Sequence, residues 1–365
     1  MNGTTLFDTS IVVDTPWMTS EEWGAIGKSS ERVFAFARGL ELARWSLGDI
    51  PDYIEPIEFD LDNFRKVLGQ SDALFIGGGD KSLLAGLTST DIEKLRYLSV
   101  HATGYEHIPE KLISDSHSCD GTHIIATRIP EYATSAVAEY VVANVMGLLR
   151  RPEYSSLEYC CSQPHHFGSP QGESLIGKQV AIVGMGLIGS QVARIMSTLG
   201  ASVKPINRTQ QNSADWIALS DQNGVERTLK ESQIVSLHLP DIGDEILDES
   251  RLRGLAPGTI VVNTARPALL NESVLLELVN SGKLRAVLDV LAKPELLPTW
   301  HQNVLCGRAI ITHHIAFNTK ESRDKKAELF VGNLQAYERS LRQGNFSSCC
   351  NTIWLDRCQE CLGNS

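Results

Sequence analysis

No stretch of this 365-residue sequence stays apolar and uncharged for long enough to cross a bilayer. Its amino end, MNGTTLFDTSIVVDTPWM, lacks the basic start and long apolar run of a secretory signal. Positive charge is in deficit: 33 Lys and Arg stand against 44 Asp and Glu, a net charge of −11. That balance argues against nucleic acid or an anionic membrane as the main partner. Repeats and low-complexity blocks are missing too. These absences leave a soluble, cytoplasmic, globular protein as the expectation. With 42% hydrophobic residues, a chain of this length has the material for two domains.

Cysteine is present but not in the pattern of a disulfide framework. Cys119, Cys160, Cys161 and Cys306 are scattered, while Cys349, Cys350, Cys358 and Cys361 crowd the carboxyl end. Four thiols with one C-x-x-C resemble a zinc set, yet adjacent Cys349 and Cys350 are awkward as two ligands of one ion. The expectation is a tail over 346–365 with free thiols and no metal, with zinc binding or a redox switch as the alternatives. His165 and His166, in QPHHFG, have no acid or cysteine beside them and read as a solvated pair.

What is present is an alternation of short apolar runs with helical patterns, the signature of parallel sheets. Residues 72–80 (DALFIGGGD) read as a buried strand ending in a glycine loop, 95–108 as a strand and turn at Gly104, and 123–130 as another short strand. Residues 134–151 are apolar on nearly every side and predict a long buried helix. The polar, Pro-, Gly- and Ser-rich stretch after it predicts a connecting loop. Trp17, Trp23 and Trp45 read as core or subunit contacts. A second series follows, with strands expected at 179–183, 202–206, 234–239, 259–263, 285–290 and 309–312, then an amphipathic helix after Thr319. The pattern is α/β. It implies a substrate domain over 1–133 and 314–345, with a dinucleotide-binding domain over 134–313 inserted in it.

Gly184, Gly186 and Gly189 form G-x-G-x-x-G between an uninterrupted apolar strand and an amphipathic helix. The first glycine permits a tight turn, the second lets backbone approach a pyrophosphate, and the third lets helix and strand pack closely. An acid that would hold the ribose 2′-hydroxyl is expected about 20 residues on. The sequence has Asn207, Arg208 and Thr209 there. A neutral residue does not repel a 2′-phosphate and an arginine pairs with one, so NADP (NADPH) is favoured over NAD.

Four stretches then end successive expected strands: SLHLP (236–240), NTARP (263–267), LDVLAKPE (288–295) and THHIAFNT (312–319). Open parallel sheets place ligands at these ends. In order and spacing, with ATGYEHI and AVAEY upstream, the series resembles the D-isomer-specific 2-hydroxyacid dehydrogenases over residues 72–343. The resemblance implies two Rossmann-like domains, the substrate domain flavodoxin-like, and NAD(P)H-dependent reduction of a 2-oxo acid to a (D)-2-hydroxy acid. Arg266 would grip the carboxylate and keto oxygen, His314 would donate the proton, and Glu295 would hold His314 cationic. Asp289 would bond the nicotinamide carboxamide. Other cofactor contacts would come from Gly184, Gly186, Leu187, Ile188, Gly189, Asn207, Arg208, Thr209, His238, Leu239, Pro240, Thr264 and Ala265, as well as Arg266 and His314. Gly78, Gly79, Thr103 and Gly104 would line the substrate carboxylate, and a homodimer is expected by analogy.

Three positions depart from that family's pattern. Pro267 stands where glycine is usual, Pro294 where the acid is usual, with Glu295 one residue later, and His313 where proline precedes the histidine. These departures and the unshared tail keep a second class in view, a nucleotide-sensing, corepressor-like scaffold on the same fold with little or no dehydrogenase activity.

Overall fold

The computed structural model describes residues 5–13, 15, 18–37, 45, 48, 50–77, 84, 86–105, 108–109, 124–161, 171–210 and 215–344. Contacts divide the chain into two units, Met1–Tyr132 with Lys320–Ser365, and Ala133–Thr319. Trp17, His165, His166, Gly78, Gly79, Cys119 and the four cysteines of the tail lie outside the described residues. Among the described residues no helix is long and apolar enough to cross a membrane.

The first unit is built on a parallel six-stranded sheet. Its strands are β1 (Phe7–Val13), β2 (Ser30–Ala37), β3 (Glu55–Glu58), β4 (Ala73–Ile76), β5 (Tyr97–Val100) and β6 (Ile125–Arg128). Their order is β3-β2-β1-β4-β5-β6. Without the short edge strand β3 this is the flavodoxin order 2-1-3-4-5. β1 and β4 are buried on both faces, which is why they read as apolar runs rather than alternations. One face packs Trp23, Trp45, Phe75 and Tyr97 against Phe330, Leu334 and Tyr337 of the carboxyl-terminal helix. The other packs Phe36, Phe64, Leu74 and Leu98. Helix α1 (Ser20–Ser29) starts at a capping box in which Thr19 and Glu22 satisfy each other's backbone N–H groups. Helix α2 (Leu61–Leu68) is capped by Asp60.

The second unit opens with α3 (Thr134–Arg150), buried along much of its length. The stretch after it is not all loop: α4 (Pro152–Cys161) forms there. Pro152 at the first helical position and Glu153 in the first turn favour a start, as proline costs no helical hydrogen bond there. The sheet contains β7 (Gln179–Val183), β8 (Ser202–Asn207), β9 (Ile217–Ala218), β10 (Ile234–Leu237), β11 (Ile260–Asn263), β12 (Arg285–Leu288) and β13 (Ala309–Ile311). All pairings are parallel, in the order β13-β12-β11-β10-β7-β8-β9. The order reverses beside β7, where such sheets bind ligands. Its helices are α5 (Leu187–Thr198), α6 (Gln222–Glu231), α7 (Glu249–Gly254), α8 (Glu272–Asn280) and α9 (Leu297–Leu305). The chain then returns to the first unit through α10 (Lys320–Gln343).

Candidate active site in the second unit

The glycine turn follows β7 at the reversal of strand order. Gly184 has φ +98°, and a Cβ there would lie 2.6 Å from the His238 carbonyl oxygen. A Cβ on Gly189 would lie 1.9 Å from the Gly184 oxygen. The fold itself therefore demands both glycines. Gly186 differs, because a Cβ there would meet nothing within 4 Å. It caps α5 and, as a glycine, supplies no side-chain bond to the helix's first N–H groups. Open space over an uncapped helix N-terminus is what a pyrophosphate requires, and the turn fits a dinucleotide.

Asn207 ends β8 and ties this turn to the next. Its Oδ1 accepts from the Met185 N–H at 3.2 Å, and its Nδ2 donates to the Thr209 oxygen and Oγ1 at 3.2 and 3.0 Å. The residue in the acid's place thus has a structural task. Arg208 makes no hydrogen bond or ion pair with another described residue. Below the turn, His238 Nε2 pairs with Ser236 Oγ at 2.8 Å. Burial pulls the His238 pKa down to about 4. Folding therefore keeps it neutral, and its contribution to stability is lost as pH falls from 6.5 toward 4. Leu239 is half-buried and Pro240 exposed beyond it.

Arg266, Asp289 and His314 follow β11, β12 and β13, three neighbouring strands. Asn263 holds the first loop: its Nδ2 donates to the Arg266 oxygen at 2.8 Å and its Oδ1 accepts from the Ala265 N–H at 3.0 Å. Thr264, between them, has a buried hydroxyl with no partner. Pro267 does not break this loop. It opens a short 3-10 turn, Pro267–Leu269, where its fixed φ suits the first helical position and Arg266 stays extended at φ −137°. The Arg266 side chain is half-buried, and its Nη1 donates to the Ala265 oxygen at 2.9 Å.

Asp289 is almost fully buried and grips the histidine loop. Its Oδ1 accepts from Thr312 Oγ1 at 2.6 Å and from the Ile315 N–H at 2.8 Å; its Oδ2 accepts from the Ala316 N–H at 2.9 Å. Its carbonyl accepts from the His314 N–H at 2.7 Å. Tyr140 of α3 joins this set through Thr312 Oγ1. These bonds hold His314 at φ +58°, a conformation that a non-glycine residue adopts at a cost. The His314 ring meets Phe317 edge to face, centroids 5.8 Å apart. Partial burial lowers the His314 pKa below 6.5, the Asp289 charge opposes that shift, and the Arg266 charge adds to it. His313 beside it is exposed.

Glu295 sits exposed on a 3-10 turn, Pro294–Leu296, and no hydrogen bond or ion pair joins it to His314. The acid that orders this segment is Glu272, which sequence reasoning missed. It is buried, and it accepts from the N–H groups of Ala292 and Lys293 at 2.7 and 3.1 Å and from Trp300 Nε1 at 3.3 Å. Its only sequence signal is its place at the first position of α8, behind the Asn271 cap. In the first unit, Thr103 Oγ1 donates to the Ile129 oxygen at 3.0 Å, and Gly104 follows it. Among the described residues no group of His, Cys, Asp or Glu is arranged to hold a metal ion.

Comparison with known proteins matches these strand ends to one family. The family model described as D-isomer specific 2-hydroxyacid dehydrogenase, NAD binding domain, matches residues 143–316, which contain every strand-end residue above. Over that stretch the chain is similar to the D-isomer-specific 2-hydroxyacid dehydrogenases. Its similarity to a D-2-hydroxyacid dehydrogenase (NAD(+)) of Clostridioides difficile is 28% identity over 54% of this chain and 63% of that one. To a hydroxypyruvate reductase of Blautia hydrogenotrophica it is 25% over 82% and 91%. The fold is shared with the D-lactate dehydrogenase of Aquifex aeolicus, solved with NAD and lactic acid, at TM-score 0.70, 20% identity and coverage of 93% and 99%. That match, together with relatives named as dehydrogenases and reductases, supports an oxidoreductase with a nicotinamide cofactor.

Proposed function

We propose that the protein reduces a small 2-oxo acid to the (D)-2-hydroxy acid, with NADPH as cofactor. One observation carries the assignment of roles: a guanidinium, a carboxylate and an imidazole leave three neighbouring strands at one sheet edge, and both charges act on the imidazole. When bound, the cofactor supplies the hydride. Reduction builds negative charge on the keto oxygen, and a cation preorganised beside it is the effective stabiliser. Arg266 has that task and also binds the substrate carboxylate. His314 delivers a proton to the same oxygen. Asp289 is its charge partner in this reading, in place of the exposed Glu295. Three donors already occupy the Asp289 carboxylate. A carboxylate has about four acceptor sites, so one remains for a nicotinamide carboxamide. By the family resemblance, Thr103 and Gly104 in the first unit are read as contacts for a substrate carboxylate.

Two features support NADPH. No acid stands at the three positions 207–209 that end β8 and follow it, and Arg208 has no described protein partner to give up before pairing with a 2′-phosphate. The test mixes purified protein with NADPH or NADH and a panel of 2-oxo acids, following loss of the reduced nicotinamide. Turnover with a lower KM for NADPH is expected, and Arg208→Ala should remove that preference. Cofactor binding without oxidation by any acid would overturn the reaction. Equal KM values for the two cofactors would overturn the preference alone.

A further inference from the structure

The first unit contains a charged cluster that the proposed chemistry does not use. Glu22 on α1 has no exposed side-chain surface, and its Oε1 lies 3.3 Å from Lys326 Nζ on α10 and 3.8 Å from His101 Nδ1. Lys326 is 8% exposed and His101 2%. Neither ring nitrogen of His101 has a hydrogen-bond partner. The ring is wedged between aromatic side chains of two elements, 4.5 Å from the Phe330 centroid on α10 and 6.2 Å from that of Phe75 on β4. Burial and the Lys326 charge push the His101 pKa well below 6.5, so the ring is neutral and the ion pair is Glu22 with Lys326.

A buried ion pair is a poor way to gain stability, because desolvating two charges offsets most of their attraction. What it supplies is a fixed geometry, and the geometry here converges on one loop. The His101 N–H donates to the Ile76 oxygen at 2.8 Å, so His101 is where the chain leaves the sheet after β5. Two residues later comes Thr103. Its side chain bonds to Ile129, and its carbonyl accepts from Arg128 Nη1 at 3.3 Å. The Arg128 carbonyl in turn accepts from Asn333 Nδ2 on α10 at 3.0 Å. Helix α10 therefore holds the loop at both ends, through Lys326, Glu22 and Phe330 at His101, and through Asn333 and Arg128 at Thr103.

We propose that Glu22, Lys326 and His101 are positioning residues: with Asn333 they let the carboxyl-terminal helix fix loop 101–104, and so set the affinity for the carboxylate of the 2-oxo acid. This rests on the reading of Thr103 and Gly104 given above. None of the four residues touches the reacting atoms. A carboxylate held by a short loop responds to sub-ångström placement, so releasing the loop acts on substrate binding more than on the chemical step.

The test is the double variant Glu22→Gln with Lys326→Met in the full chain. Gln retains the capping box, and neutralising both partners leaves no unpaired buried charge. The expected result is a KM for the 2-oxo acid raised about tenfold, with kcat and NADPH affinity within about twofold of wild type. Asn333→Ala should raise the same KM about threefold, and Lys326→Arg should stay near wild type. Hydrogen exchange of the amides of residues 101–104, measured without substrate, should speed up about tenfold in the double variant. Wild-type KM together with wild-type exchange in the double variant would overturn the proposal. So would a loss of kcat and NADPH affinity equal to the loss in KM, which marks general destabilisation. If the wild type turns over no 2-oxo acid, the reaction assignment fails, and the exchange measurement still decides whether the cluster fixes the loop.

Discussion

The two sheets share one plan and put their strand ends to different uses. In each, the strand order reverses beside the first strand, and loops with polar residues follow the carboxyl ends. In the second unit those residues are bonded within and between neighbouring strand-end loops, mostly to backbone: Asn263 to 265 and 266, Asp289 to 312, 315 and 316, Asn207 to 185 and 209. In the first unit the charged groups meet across helices far apart in sequence, Glu22 on α1 with Lys326 on α10. Bonding within one sheet edge fixes a reactive side chain through its own loop. Long-range ties set a whole loop relative to a helix. The contrast fits the proposal that the second unit carries the chemistry, with the 101–104 loop of the first contributing to substrate affinity.

The sharpest way to break that contrast is Arg266→Ala. If the second unit holds the chemistry, kcat/KM for the 2-oxo acid should fall by about 10³, since a preorganised charge beside the developing oxyanion is removed. NADPH affinity, measured by fluorescence titration, should change little. A residual activity near wild type would mean that another cation, from either unit, stabilises the oxygen.

The glycine turn separates structure from ligand within one motif. Gly189→Ala places a methyl 1.9 Å from the Gly184 oxygen, so the helix must move and thermal stability should drop by several degrees, a few kcal/mol. Gly186→Ala meets no protein atom, so melting should be unchanged while NADPH affinity falls about tenfold. Equal effects on melting from the two variants would show that the open space over Gly186 is not reserved for the cofactor.

The motif was legible in the sequence because its three glycines are local, one, three and six residues past the last residue of a buried strand. Arg266 and His314 were legible for the same reason, each lying just past an apolar run. Most partners of Asp289 were not, because two of the three on its carboxylate are backbone N–H groups that no side-chain pattern announces. Glu272 was hidden because a helix-start acid is ordinary, and only folding brings the 292–293 backbone to it. The cluster of Glu22, His101 and Lys326 was illegible for a further reason: its members come from three elements spread over most of the chain. Helix α4 was missed because a weakly patterned stretch after a proline gives little periodic signal.

Asp289→Asn tests the electrostatics of the proton donor. In the proposed reaction the proton comes from His314, whose pKa is lowered below 6.5 by burial and by Arg266 and supported by Asp289. Activity should therefore be fullest at low pH and fall as pH rises through a midpoint below 6.5. Removing the Asp289 charge removes the one influence holding that pKa up, so the midpoint in kcat/KM should move to still lower pH. A midpoint moving upward would overturn the assigned pairing.

Glu295→Gln should have the smallest effect of all, and it decides between two acids. Glu295 is exposed and makes no bond to His314, whereas Asp289 acts on that ring and grips its loop. An exposed charge without a partner is screened by solvent and contributes little. kcat/KM should stay within about twofold of wild type, and the pH midpoint should not move. A large loss with a downward shift of the midpoint would mean that the 294–296 turn closes on His314 when substrate binds. The division of labour would then be different: the proton donor would depend on a loop that substrate rearranges, not only on the prebonded edge that Asp289 maintains.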